Sequence, residues 1–177
     1  LKREKKMKIF IEIPSWLGDA IMATPAIQNI IKTYPKAKIT LLGSFVSTQA
    51  FVNYPNIEKI IVDDTKKSGN RYKNLIVLAK SIGKVDLAIS FRRSFSSKFM
   101  MFFIKAKNKF NYKRLTKDEI HLAIRYNDFV NKVLKLNNEV GDLKLYFQPF
   151  FYSKPTLGIN PGATYGSAKR WYPQHFA

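Results

Sequence analysis

The chain of 177 residues contains no cysteine. That excludes a disulfide framework, a thiolate metal site and thiol redox chemistry, and it fits a reducing compartment. Histidine is almost as scarce: His121 and His175 lie far apart and lack carboxylates at ligand spacing, so no metal requirement is expected. His121 stands at a helix start and reads as structural. Long apolar runs are missing too. The longest candidate, Phe99 to Ile104, falls far short of the roughly 20 residues that span a bilayer, so any membrane association is expected to be peripheral. The basic opening before Met7, a candidate natural start, leads into Met7 to Pro14 and then Trp16, Gly18 and Asp19 rather than a small-residue cleavage site, which does not read as a secretory signal.

Acidic residues are the last scarcity. Twelve Asp and Glu face 31 Lys and Arg, a formal charge of +19. Between Thr65 and Lys117 fifteen basic residues accompany a single acid, Asp86. A field of this size draws anionic partners such as nucleic acid, phosphorylated sugars or acidic membrane. The plainer reading is a solvated, lysine-rich surface.

With 46% hydrophobic residues the chain has the composition of a globular protein and room for one complete domain. Apolar runs at Lys8 to Pro14, Ala37 to Gly43, Ile57 to Val62 and Val85 to Phe91 read as buried parallel strands. Helices are expected between them: one ending before Pro35, one over Ser44 to Tyr54, one near Tyr72 to Ile82 and one near Ser96 to Lys105. A long amphipathic helix over His121 to Leu136 and a short strand over Leu143 to Phe147 follow. Strand and helix alternating through short connections predict an open, Rossmann-like parallel sheet covered on both faces. The expected division is a first domain over 7–148, a linker over 149–155 and the opening of a second domain over 156–177, with a strand at Thr156 to Asn160, a loop at Pro161 to Lys169 and a helix beginning at Tyr172. One strand and a loop cannot bury a core, so the sequence reads as a fragment, and such a chain is expected to be inactive alone.

Two constellations carry chemistry. The first, Pro14-Ser15-Trp16-Leu17-Gly18-Asp19 running into Thr24-Pro25, leaves the end of the first strand, where ligands of open α/β sheets bind. Asp19 is either a carboxylate facing that crevice or a helix cap accepting a backbone N–H. Pro25 interrupts a plain helix. The second runs from Gly158-Ile159-Asn160-Pro161-Gly162-Ala163-Thr164-Tyr165-Gly166 to Lys169-Arg170-Trp171. A strand, a glycine-bearing loop, then Lys and Arg before a helix start is how a diphosphate is held, although an ordinary interdomain loop has the same outline. It is neither a Walker A loop nor G-x-G-x-x-G.

Together these two blocks resemble the signature motifs of ADP-heptose:lipopolysaccharide heptosyltransferases, glycosyltransferase family 9, and most nearly the heptosyltransferase II type. The resemblance runs from Met7 to the last residue. It implies a GT-B fold of two Rossmann-like domains, of which the N-terminal, acceptor-side one is complete here. It implies inverting transfer of L-glycero-D-manno-heptose from ADP-heptose to the lipopolysaccharide inner core, heptosyl-Kdo-lipid A. The enzyme would need no cofactor and no metal, and would work in the cytoplasm on the inner face of the inner membrane. The adjacent Asp63-Asp64 pair also differs from the DxD motif of metal-dependent glycosyltransferases. Asp19 then matches the general base. Gly162, Thr164, Tyr165 and Lys169 match donor contacts, while Trp16, Gly18, Arg92 and Arg93 are the acceptor-side candidates, the arginines for phosphate or carboxylate or, in so basic a neighbourhood, plain surface charge. The rival from another class is a non-enzymatic, basic polyanion-binding module. It explains the charge but not the lone carboxylate or the phosphate-loop pattern, and no nucleic-acid signature is present, so nucleic acid is not an expected partner.

Overall fold

The computed structural model describes residues 6–67, 69–159, 162, 166–172 and 174. Its contacts divide the chain into two units, Leu1–Phe147 and Gln148–Ala177.

The first unit is built on five strands: β1 (Lys8–Glu12), β2 (Lys38–Gly43), β3 (Ile57–Val62), β4 (Lys84–Ser90) and β5 (Lys105–Asn111). They form one sheet in the order β3-β2-β1-β4-β5, and every pairing is parallel. The helices are α1 (Leu17–Met22), α2 (Thr24–Thr33), α3 (Phe45–Gln49), α4 (Arg71–Ile82), α5 (Phe95–Phe103) and α6 (Leu122–Leu134). This is the expected Rossmann-like α/β fold. Side chains of a strand alternate between faces, and β1 divides accordingly. Ile9, Ile11 and Ile13 enter one core with Ala26, Ile27, Ile30, Phe129 and Val130 of α2 and α6. Phe10 enters the other with Leu75 and Ala79 of α4 and Met100 and Met101 of α5.

Pro25 has a local explanation. The expected single helix is two: α1 stops at Ala23, and Pro25 occupies the first turn of α2, where its missing N–H has no intrahelical acceptor to lose. The close of β2 is tighter still. A Cβ on Gly43 would come within 2.7 Å of both Ile13 Cγ1 and Ser47 Oγ, and Ile13 is fully buried. Gly43→Ala is therefore expected to destabilise the chain by about 1–3 kcal/mol, read as a lowered midpoint in equilibrium unfolding; an unchanged midpoint would show that Ile13 can yield.

Three expectations need correction. β5 lies where no strand was expected. Its sequence KAKNKFN is too polar to read as buried, and Lys105, Lys107 and Lys109 are exposed along it. Lysines on an outermost strand discourage pairing with another chain, and β5 is at the sheet edge. Conversely, Leu143–Phe147 is not a strand. Its segment is strapped over α2 and α6 by side chains: Asn29 donates to the Glu139 carbonyl at 2.9 Å, Asn127 to the Asn138 carbonyl at 2.8 Å, and the Lys144 amide to Thr24 Oγ1 at 3.2 Å. Tyr146 then packs edge-on against Tyr54 at 4.7 Å. In the second unit residues 156–159 are exposed and form no strand, having no ladder partner. Among its described residues a short 3₁₀ turn over Ser167–Lys169 is the regular element. Asn160, Pro161 and the helix expected from Tyr172 fall largely outside the described residues.

Candidate active site

In a sheet ordered 3-2-1-4-5 the connections leave β1 and β4 in opposite directions, which opens a crevice beyond their carboxyl ends. A cleft of about 520 Å³ occupies that position, lined among others by Pro14, Trp16, Asp19, Asp63, Arg71, Arg92, Arg93 and Tyr126. Trp16 and Asp19, singled out at the end of the first strand, and Arg92 and Arg93, after the fourth, thus line one cleft, whereas Gly18 is not among its lining residues.

Asp19 lies in the first turn of α1 and is half-buried. The N-cap position belongs to Trp16, which makes no side-chain capping bond, and Asp19 stands two residues into the first turn, where a negative charge suits the helix N-terminus. Its carboxylate is close enough to Tyr126 to act on it: burial chiefly, and then the Asp19 charge, push the Tyr126 hydroxyl well above the usual tyrosine range. Trp16 is exposed at the rim. Gly18 is exposed, and a Cβ there would meet nothing within 4 Å.

Arg92 and Arg93 part company. Arg93 is exposed and lines both the cleft and an adjoining basic groove with Lys98, Lys113 and Arg114. Arg92 is turned into the protein. Its Nε donates to the Ile13 carbonyl at 2.8 Å and its Nη1 to Asp63 Oδ2 at 3.2 Å. Nη1 also lies 3.3 Å from Glu12 Oε1. Nη2 is buried without a protein acceptor.

Glu12 completes this network. It is 2% exposed and accepts from the hydroxyls of Ser90 and Ser97. Burial pushes its carboxyl above the usual range, against the opposing pull of Arg92 and both serines. Burial would raise Asp63 as well, but the hydroxyl and amide of Thr65 and the Arg92 guanidinium outweigh it and hold Asp63 low. Both carboxylates touch one guanidinium, yet they move apart. Asp63 is therefore the standing counter-charge of Arg92, and Glu12 is the member that takes a proton more readily.

Glu12 and Asp63 were not singled out as site residues by the sequence. The available signal was Glu12 itself, an acid inside the apolar run Ile9 to Ile13 at the end of a strand that must be buried on both faces. On the second unit Gly162 and Lys169 are described, the latter exposed in the 3₁₀ turn. Thr164 and Tyr165 lie outside the described residues. Among the described residues no group of three His, Cys, Asp or Glu side chains could hold a metal ion, and no helix is long and apolar enough to cross a membrane.

No family model matches the chain. It is 40% identical over 178 residues to lipooligosaccharide heptosyltransferase 2 of Campylobacter jejuni, covering 97% of this chain and 54% of that protein. The resemblance seen in the two motifs therefore holds along the sequence, and the chain spans about half the length of the curated relatives it matches. Among solved structures, Escherichia coli ADP-heptose lps heptosyltransferase II superposes with a TM-score of 0.69 at 20% identity, over 96% of this chain and 59% of that one. A glycosyl transferase family 9 protein from Veillonella parvula gives 0.64 at 24% identity, over 79% and 44%. At these identities the structures speak for the fold.

Proposed function

We propose that this chain is the acceptor-side portion of an inverting glycosyltransferase that moves L-glycero-D-manno-heptose from ADP-heptose to the lipopolysaccharide inner core, heptosyl-Kdo-lipid A. The observation that carries the reading is Asp19, a half-buried carboxylate in the crevice beyond β1, in a chain so similar to heptosyltransferases. In the proposed division, 7–148 receives the acceptor, 149–155 links, and 156–177 opens the donor domain.

The chemistry is a single displacement. Asp19 accepts the proton of the attacking acceptor hydroxyl as its oxygen bonds to the anomeric carbon. The bond from that carbon to the ADP oxygen breaks on the opposite face, which inverts the centre, and its electron pair leaves with the diphosphate. Lys169 and the amides around Gly162, Thr164 and Tyr165 meet that growing charge, without a metal. On the acceptor side Arg93 is the outward guanidinium for phosphate or carboxylate, Trp16 and Gly18 shape the rim, and Arg92 offers Nη2 alone. The enzyme would act peripherally on the cytoplasmic face of the inner membrane, where its acceptor is anchored.

Lys169→Ala, made in a protein that carries the whole donor domain, is expected to weaken ADP-heptose binding about tenfold or more, the scale of a charge-assisted hydrogen bond. Isothermal titration with ADP-heptose measures it; an unchanged Kd would remove Lys169 from the diphosphate site.

A further inference from the structure

The outer surface of α4 and α5 belongs to no part of the mechanism. Phe95 and Phe102 are 70% and 76% exposed, Val77 is 66% and Tyr72 45%. They are not scattered. Tyr72 packs against Phe95 and Phe99 at 6.3 and 5.1 Å, Phe99 against Phe103 at 5.1 Å, and Phe103 against Phe102 at 5.2 Å. A continuous aromatic ridge therefore follows α5, and such a patch on a protein surface marks a binding face.

Its border identifies the occupant. Neither α4, α5 nor β5 contains an acidic residue. Lys98 stands one helical turn from both Phe95 and Phe102, and Lys73 and Lys80 stand one turn from Val77, so each shares a helix face with the apolar residue beside it. Lys109 reaches the Phe102 carbonyl at 2.8 Å. Rings that enter the acyl boundary, edged by long cations that reach headgroup phosphates, match an anionic bilayer. A second copy of this chain would bring the same cations to the same face and be repelled.

The ridge also ends at the cleft. Tyr72 follows Arg71, and Phe95 sits between Ser94 and Ser96, all three neighbours being cleft-lining residues. We propose that the α4–α5 face docks on an anionic lipid surface, with Tyr72 and Phe95 at the membrane edge of the cleft mouth. A lipid-anchored acceptor could then reach Asp19 without leaving the bilayer. That last consequence rests on the transferase reading, but the docking itself does not.

The test is co-sedimentation of the purified chain with phosphatidylcholine vesicles, with and without about 30% phosphatidylglycerol. Binding is expected only to the anionic vesicles. Phe95→Ser/Phe102→Ser should weaken it at least tenfold, and Lys98→Gln/Lys109→Gln by about fivefold per lysine. Val52→Ser, a loss of an exposed apolar side chain after α3, should leave it unchanged. All of these positions are exposed, and circular dichroism confirms that each variant folds. Equal binding by the Phe pair and the parent would overturn the proposal. So would a parent dimer that the Phe pair dissolves, or tighter binding of a duplex oligonucleotide through the same rings. No donor or acceptor enters the assay, so failure of heptosyl transfer would leave its outcome standing.

Discussion

Asp19→Asn, made in a protein that carries the whole donor domain, is expected to lower heptosyl transfer by about 10²- to 10⁴-fold, the range that a positioned general base contributes. The exchange keeps the shape of the side chain and removes its ability to take a proton. Because ADP-heptose is assigned to the other half of the enzyme, its Kd should stay within about twofold of the parent value. The split between turnover and donor affinity separates a base from a residue that merely shapes the crevice. A shape role would lower acceptor affinity and spare the maximal rate. Steady-state transfer assays with both substrates varied make the distinction, and turnover within a few-fold of the parent would end the general-base assignment.

Arg92→Met should have the largest effect on stability. It leaves Glu12 and Asp63 beside each other without their shared cation, and stranding buried charge in this way costs about 3–5 kcal/mol. Glu12→Gln is expected to be much milder, since the amide can still meet the hydroxyls of Ser90 and Ser97 and Asp63 still neutralises Arg92. The double variant Glu12→Gln/Arg92→Met should therefore lose less than the two single losses added together. Urea unfolding of the four proteins measures this cycle, and strict additivity would mean that the contacts are not coupled.

The two acids also predict opposite pH responses. Asp63, held low, stabilises the fold above its ordinary value of 3.8 and stops doing so as pH falls through its folded value. Glu12, held high, favours the fold below its ordinary value of 4.5, and that contribution disappears as pH rises through its folded value. Glu12→Gln should therefore remove the fall in stability that this carboxyl contributes as pH rises above 4.5.

Much of this could be read from residues alone, for definite reasons. β1, β2 and β4 are buried on both faces, so their runs of Ile, Leu and Val are continuous and plain in the sequence. The place of Asp19 beside the crevice was legible because the loop after the first strand of an alternating α/β chain faces it, whereas the residues alone left a helix-capping role equally open. β5 was hidden because an edge strand needs lysines where a central strand needs isoleucines. Leu143–Phe147 misled for the converse reason. It has strand composition, but α2 and α6 already present the Asn and Thr side chains that hold its neighbourhood in place. The inward turn of Arg92 was beyond local reading, since it depends on Glu12 and Asp63, 80 and 29 residues away by number.

The strand order carries a consequence for how the molecule is made. β1 emerges first, and its outer partner on one side is β4, with Ile9 opposite Leu87 and Glu12 opposite Ser90. A ribosome must therefore add almost eighty further residues before that flank can close, and α6, which roofs Ile9 and Ile11, comes later still. Through that interval one of the most apolar segments of the nascent chain stays half-open, the condition in which growing polypeptides stick to one another. A holdase chaperone that recognises short aliphatic stretches would find its site at Ile9 to Ile13, and that site would vanish once Ser90 is in register.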